Sequence, residues 1–148
     1  MLKTPILHPD VLLGLGRLGH GSKVLLSDGN FPHATATPPT CHRVFLNYAP
    51  GLINATDILG PLLDTLPVER AEVMQPNRDG PYAMQDDPPI FAEYQAMLAP
   101  HGVDTLDPLE RFAFYDAARE PDVGLLIATG EQRIYANLLL TIGVVKPD

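Results

Sequence analysis

The sequence predicts an α/β protein with a mixed, largely parallel sheet flanked by helices, and two observations carry that expectation. Short apolar runs of strand length alternate along the chain with segments whose apolar residues recur at helical spacing. The 16 prolines and 12 glycines fall between those blocks and form no low-complexity tract, so they punctuate elements. With 148 residues, 45% hydrophobic and 19% charged, the chain has the size and composition to bury one core. It is read as a single domain over residues 1–148, without internal repeat or linker.

The first element is a short helix: His8-Pro9-Asp10 places a proline near its start and an acid in its first turn, and Val11-Leu12-Leu13 runs on to the glycines that end it. Lys23-Val24-Leu25-Leu26-Ser27, bounded by Gly21 and by Asp28-Gly29-Asn30, reads as a buried strand, and His42-Arg43-Val44-Phe45-Leu46 as a second. Asn54 with Asp57 three positions on reads as an N-cap, and Ile58, Leu59, Leu62, Leu63 and Leu66 follow at helical spacing up to Pro67. Val68 to Met74 alternates as a strand. Residues 75–89, with Pro76, Asp79-Gly80-Pro81, Asp86 and Asp87, read as a loop, the segment suited to a lid or an interface.

Ile90-Phe91-Ala92-Glu93-Tyr94-Gln95-Ala96-Met97-Leu98 forms a helix stopped by Pro100 and Gly102. The next helix is placed with Asp107 as its cap, Pro108 at N1, Glu110 in the first turn and Leu109, Phe112 and Ala113 on its apolar stripe. Val123-Gly124-Leu125-Leu126-Ile127-Ala128 is the strongest strand, and Leu138-Leu139-Leu140-Thr141-Ile142 makes another. The apolar stretch 138–145, paired with the loop 75–89, is read as surface for a neighbouring subunit.

Eighteen acidic against ten basic side chains leave a net charge of -8, and the Lys and Arg residues are scattered, so neither nucleic acid nor an anionic membrane is an expected partner. No apolar run reaches the roughly 18 residues of a membrane span, and Met1-Leu2-Lys3-Thr4-Pro5 opens no hydrophobic signal core. The lone Cys41 has no intramolecular disulfide partner and lacks the Cys/His spacing of a zinc site, which fits a reducing, cytoplasmic setting.

Gly14-Leu15-Gly16-Arg17-Leu18-Gly19 matches the dinucleotide fingerprint G-x-G-x-x-G letter for letter. That motif needs a strand before it and a helix opening within it, whereas here a helix precedes and a strand follows, so the residues read as a helix end and a tight turn. His20, between Gly19 and Gly21, is held on such a turn with its ring poorly covered, where an imidazole can exchange protons near neutral pH. Taken alone, a loop histidine of this kind is usually just solvated.

Asp28 and Asn30 leave the carboxyl end of a strand, where open α/β sheets place ligands, and a carboxylate with an amide suits sugar hydroxyls; the bland alternative is a turn made of turn residues. Tyr135 and Asn137, shortly after the strongest strand, offer two more hydrogen-bonding groups. His8, His33, His42 and His101 show no metal-ligand spacing, so no metal is expected. Ser22 and Ser27 lack a nucleophile elbow, and Cys41 adjoins His42 only in sequence, which argues against covalent catalysis.

Five segments in order, Gly19-His20-Gly21, Leu26-Ser27-Asp28-Gly29-Asn30-Phe31-Pro32, Glu110-Arg111-Phe112-Ala113-Phe114-Tyr115, Ala128-Thr129-Gly130-Glu131 and Tyr135-Ala136-Asn137, together resemble the family of D-ribose pyranase and L-fucose mutarotase. The likeness covers nearly the whole chain. It implies an α/β fold assembled into rings, commonly decamers, with the sugar site near subunit contacts. By position, His20 resembles the catalytic acid/base, Asp28, Arg111, Tyr135 and Asn137 the sugar-binding set, and Tyr115 joins them. Glu69 is the acidic residue to align between Pro67 and Met74. The Arg-Phe-x-Phe-Tyr stretch is similar to the fucose-type branch, the ribose-type branch usually having histidine in place of Arg111, while Asn47-Tyr48-Ala49-Pro50-Gly51 is closer to the ribose type.

The function expected from this is a monosaccharide mutarotase, most nearly of L-fucose type, interconverting sugar anomers and extending to pyranose and furanose forms. The chemistry calls for no cofactor, since one proton must leave the anomeric hydroxyl and one reach the ring oxygen. The competing expectation is a non-catalytic sugar-binding or transport-associated module using the same polar groups.

Overall fold

The computed structural model describes residues 1–147. Six strands form one sheet: β1 (Lys23–Ser27), β2 (His42–Phe45), β3 (Val68–Met74), β4 (Asp107–Leu109), β5 (Val123–Ala128) and β6 (Leu138–Ile142), in the spatial order β2-β5-β1-β6-β3-β4. The pairings β2/β5, β1/β5 and β3/β4 are parallel, and β6 alone runs against its neighbours β1 and β3. The sheet is therefore mixed and largely parallel, as the alternation of elements predicts.

The helices are α1 (Pro9–Leu15), α2 (Ala55–Leu63), α3 (Pro89–Leu98) and α4 (Arg111–Ala118). Successive residues along the strands face opposite sides of the sheet. Val24 and Leu26, Leu125 and Ile127, Leu138 and Leu140 meet Leu59, Leu62, Ile90, Tyr94 and Leu98 of α2 and α3 in one core. Leu25, Leu126 and Leu139 pack on the other face with Phe31, Phe114 and Ala118. Burial on both faces is why the central strands read as unbroken apolar runs and not as alternating ones.

The G-x-G-x-x-G segment spans the end of α1 and the turn into β1. A Cβ at Gly14 would stand 2.7 Å from Leu125 Cδ1, so the buried Leu125 side chain would have to shift. Gly21 has φ +80°, a left-handed conformation that favours glycine. In α2 the Asn54 N–H donates to the Asp57 carboxylate at 2.9 Å, the capping pair that Asn54 and Asp57 predict. That helix ends at Leu63, before the expected Leu66.

Two expectations are corrected. Asp107 and Pro108 do not open a helix: they lie in the edge strand β4, paired with Glu72 and Val73 of β3. Pro108 is tolerated because an edge strand leaves its N–H side unpaired, and the Asp107 carboxylate accepts from Arg70 Nε at 2.7 Å. The cap of α4 is Glu110, whose carboxylate accepts from the N–H groups of Phe112 (2.8 Å) and Ala113 (3.2 Å). The stretch 138–145 is likewise not a free apolar surface, because its first five residues are the buried strand β6 and only Val144 and Val145 are exposed large apolar side chains there.

Candidate active site

A pocket of about 280 Å³ opens at the carboxyl ends of β1 and β3, lined by Asp28, Asn30, Phe31, Met74, Tyr82, Arg111, Tyr115, Ile134, Tyr135 and Asn137. Its position follows from topology. Because β6 is antiparallel to β1, the register pair Leu26 and Leu138 brings Asn137, at the start of β6, beside the end of β1. The first two turns of α4 then supply Arg111 and Tyr115 from the second face of the sheet.

Asp28 anchors the floor and is 2% exposed. Its N–H donates to Asn137 Oδ1 at 2.9 Å, while Asn137 Nδ2 donates to Asp28 Oδ2 at 3.0 Å, and Oδ1 of Asp28 accepts from the Asn30 N–H at 2.9 Å. Burial pushes the carboxyl up to about 6, opposed by hydrogen bonds from the backbone of Asn30, Ala136 and Phe31 and from the Asn137 side chain. Near neutral pH it is an acceptor-only carboxylate, suited to sugar hydroxyls.

Arg111 forms no ion pair among the described residues; its guanidinium lies 6.0 Å from the centroid of the Phe112 ring, so its donors remain available to a ligand. Tyr115 stacks on Phe31 with centroids 5.6 Å apart. Tyr135 has φ 62°, a strained conformation for a large residue. Its hydroxyl donates to the Tyr82 carbonyl at 3.0 Å and accepts from the Asn77 N–H at 3.3 Å, so of the groups expected to meet a ligand this one is mostly engaged by the loop 75–88.

The segment 129–133 is scaffold. Thr129 Oγ1 donates to the Ser27 carbonyl at 2.8 Å, and Gly130 has no room for a Cβ between the carbonyls of Ala49 and Leu52. Burial opposes charge on Glu131, but its hydrogen bonds with Arg133 hold the carboxyl below its usual range. Arg133 also reaches Glu93 of α3 at 2.7 Å.

Five of the six residues singled out in the sequence thus converge: Asp28, Arg111, Tyr115, Tyr135 and Asn137. His20 does not join them within one chain. It precedes β1, and Gly21 donates to the carbonyl of Ile142 at the far end of β6 from Asn137; a strand the length of β1 separates the two positions by at least roughly 13 Å. His20 is 58% exposed, with Nε2 3.1 Å from Oε2 of Glu69. Among the described residues no three His, Cys, Asp or Glu side chains converge as metal ligands, and no helix is long and apolar enough to cross a membrane. Met74, Tyr82 and Ile134 line the pocket unforeseen; Met74 ends a strand on the ligand edge of the sheet, a rule that reaches it, whereas Tyr82 and Ile134 carry no local signal.

The sequence pattern of the RbsD / FucU transport protein family matches residues 1–145. Fucose mutarotase of Homo sapiens is 36% identical over 145 residues, covering 95% of this chain and 90% of that protein, and fucose mutarotase of Danio rerio is 33% identical over 148 residues, covering 97% and 92%. The crystal structure of the fucose mutarotase in complex with L-fucose from Streptococcus pneumoniae superposes with a TM-score of 0.80 at 27% identity, over 99% of this chain and 100% of that one. Bacillus subtilis RbsD complexed with D-ribose gives 0.78 at 23% identity, over 99% and 100% respectively, which speaks for the fold. With its fold and the family pattern in agreement along almost the whole sequence, the chain belongs to the RbsD / FucU family.

Proposed function

We propose that the chain is a monosaccharide mutarotase, an isomerase that interconverts sugar anomers without a cofactor, with L-fucose-type sugars as its first substrates and D-ribose-type sugars as the alternative. The observation that carries this reading is the convergence of Asp28, Arg111, Tyr115, Tyr135 and Asn137 on one pocket of about 280 Å³, the small end of ligand cavities and suited to a single sugar ring. The fucose mutarotase relatives support it.

Anomer exchange breaks the bond between C1 and the ring oxygen. The anomeric hydroxyl loses its proton, C1 becomes the aldehyde carbon and the ring oxygen gains a proton; rotation about C1–C2 and the reverse steps give the other anomer. In this reading Asp28, Asn137 and Arg111 hold the sugar hydroxyls and His20 moves the proton, with Glu69 fixing the orientation of its ring. Positioned acid–base groups contribute about 10²–10⁴-fold.

Since His20 lies at the other edge of the sheet from its own pocket, it serves the pocket of a neighbouring copy. The protein is accordingly a homo-oligomeric ring, a decamer by family likeness, with each site completed across a subunit contact. The free, buried Cys41 fits a cytoplasmic location.

Saturation-transfer NMR on L-fucose, D-ribose and other aldoses tests the activity. Magnetisation passing between anomers at catalytic protein concentration is the expected result. Sugar binding with exchange at the uncatalysed rate would instead establish the non-catalytic module, a reading favoured by the distance of His20 from the pocket of its own chain.

A further inference from the structure

The loop 75–88 follows β3, contributes Tyr82 to the pocket, and is braced from within. Arg78 donates to the carbonyls of Met84 (2.9 Å) and Gln85 (2.7 Å) and pairs with Asp87 at 3.0 Å. Gln85 Nε2 donates to the Arg78 carbonyl at 3.1 Å, and the Met84 N–H to the Asn77 carbonyl at 2.9 Å. Tyr135 then ties the loop to the site through Asn77 and Tyr82. A loop so cross-linked is shaped before a ligand arrives, which lowers the ordering cost of binding.

From this loop Tyr82 lines the pocket, and the residue is 64% exposed. Asp28, Asn30, Arg111 and Asn137 supply the polar lining, whereas Tyr82, Met74 and Ile134 supply apolar surface. A sugar ring has the matching duality, hydroxyl edges and patches of C–H whose partial positive charge is attracted to an aromatic face.

We propose that Tyr82 is a specificity-determining residue of this site, its ring receiving the C–H face of the bound sugar and favouring sugars that carry a methyl group on C5 over those that carry hydrogen there. The proposal rests on the mutarotase reading above and deepens it. A 6-deoxyhexose such as L-fucose has that methyl and a pentopyranose such as D-ribose does not; burying one such group is worth about fourfold in affinity. The Tyr82 ring can be removed without touching the hydrogen bond, because it is the backbone carbonyl that accepts from Tyr135.

The test compares the wild type with Tyr82→Ala and Tyr82→Phe, reading sugar affinity by calorimetric titration and anomer exchange by saturation-transfer NMR. Tyr82→Ala is expected to weaken L-fucose by roughly 3- to 10-fold and D-ribose by less; Tyr82→Phe keeps the wild-type preference. An unchanged ratio of the two affinities in Tyr82→Ala, or an equal loss in Tyr82→Phe, overturns the proposal. A wild type that binds L-fucose without exchanging its anomers overturns the mutarotase reading alone, since the affinity ratio still decides the role of Tyr82. A wild type that binds neither sugar overturns both.

Discussion

Asp28 and Asn137, 109 positions apart in the chain, hold each other by two hydrogen bonds, one from the Asp28 N–H to the Asn137 amide oxygen and one from the Asn137 amide nitrogen to the Asp28 carboxylate. The pair satisfies buried polar groups at the junction of β1 and β6 and fixes which way both side chains face the pocket. It joins fold to function at one point: the strand pairing that builds the sheet also builds the polar floor of the site.

Asp28→Asn is expected to cost a hydrogen bond in either amide orientation. The carboxylate accepts from both the Asn30 N–H and Asn137 Nδ2, and an amide nitrogen would have to face one of those donors, a penalty of about 1–3 kcal/mol. Removal of a buried charge offsets it in a pH-dependent way. The raised pKa of Asp28, about 6 against 3.8, means that its contribution to stability is full below pH 3.8 and lost as pH rises through 6, a change of roughly 3 kcal/mol. His33, lowered from 6.5 by burial, works in the opposite sense, losing stability as pH falls. Urea denaturation of both proteins from pH 4 to 7 isolates Asp28: the stability of the wild type relative to the variant should fall across this range, and a flat difference would mean that the carboxyl is not perturbed.

His20→Ala is expected to fold as the wild type, because the ring is mostly exposed, while anomer exchange falls about 10²–10⁴-fold. Glu69→Gln keeps a hydrogen-bonding group near His20 Nε2 but removes its charge, so a smaller loss of exchange rate is expected. Exchange at the wild-type rate in a folded His20→Ala protein would remove His20 from the mechanism.

Arg111→His should change the preference between fucose-type and ribose-type sugars more than it changes thermal stability. The guanidinium has no ion-pair partner to lose among the described residues, and its five donors can bridge two hydroxyls where imidazole offers fewer. An unchanged ratio of exchange rates for the two sugars would count against Arg111 as a sugar contact.

If His20 completes a neighbour's pocket, two inactive proteins should rescue each other. Mixing His20→Ala with Asp28→Asn subunits under conditions that allow exchange leaves roughly one site in four with an intact histidine and an intact pocket, as random assembly of a shared interface requires. Light scattering should show a large homo-oligomer. A monomer with full activity would refute the shared site, and an oligomer without rescue would confine each site to one subunit.

The edge strand shows where local reading reaches its limit. Asp107-Pro108-Leu109-Glu110 carries the residue types of a helix start, and nothing within the segment distinguishes that from a short strand ahead of a cap at Glu110. The decision lies with β3, which offers the segment a pairing edge, and with Arg70, which binds the Asp107 side chain. Tyr135 gives the same lesson at the site: its residue type announced a hydroxyl for a ligand, and the loop 75–88 took that hydroxyl for itself.

By itself, then, the sequence determined the type of every strand and α-helix but β4, and the apolar runs of the buried central strands, because apolar periodicity, caps and turn residues act over a few neighbouring positions; Arg111 and Tyr115 were named for the pocket by family likeness alone. Only the tertiary structure decided that β6 enters antiparallel between β1 and β3, which sets Asn137 against Asp28 and leaves His20 at the opposite edge of the sheet. That choice depends on pairing between strands 65 or more residues apart, where competing registers differ by the fit of whole faces, and no local pattern records which fit wins.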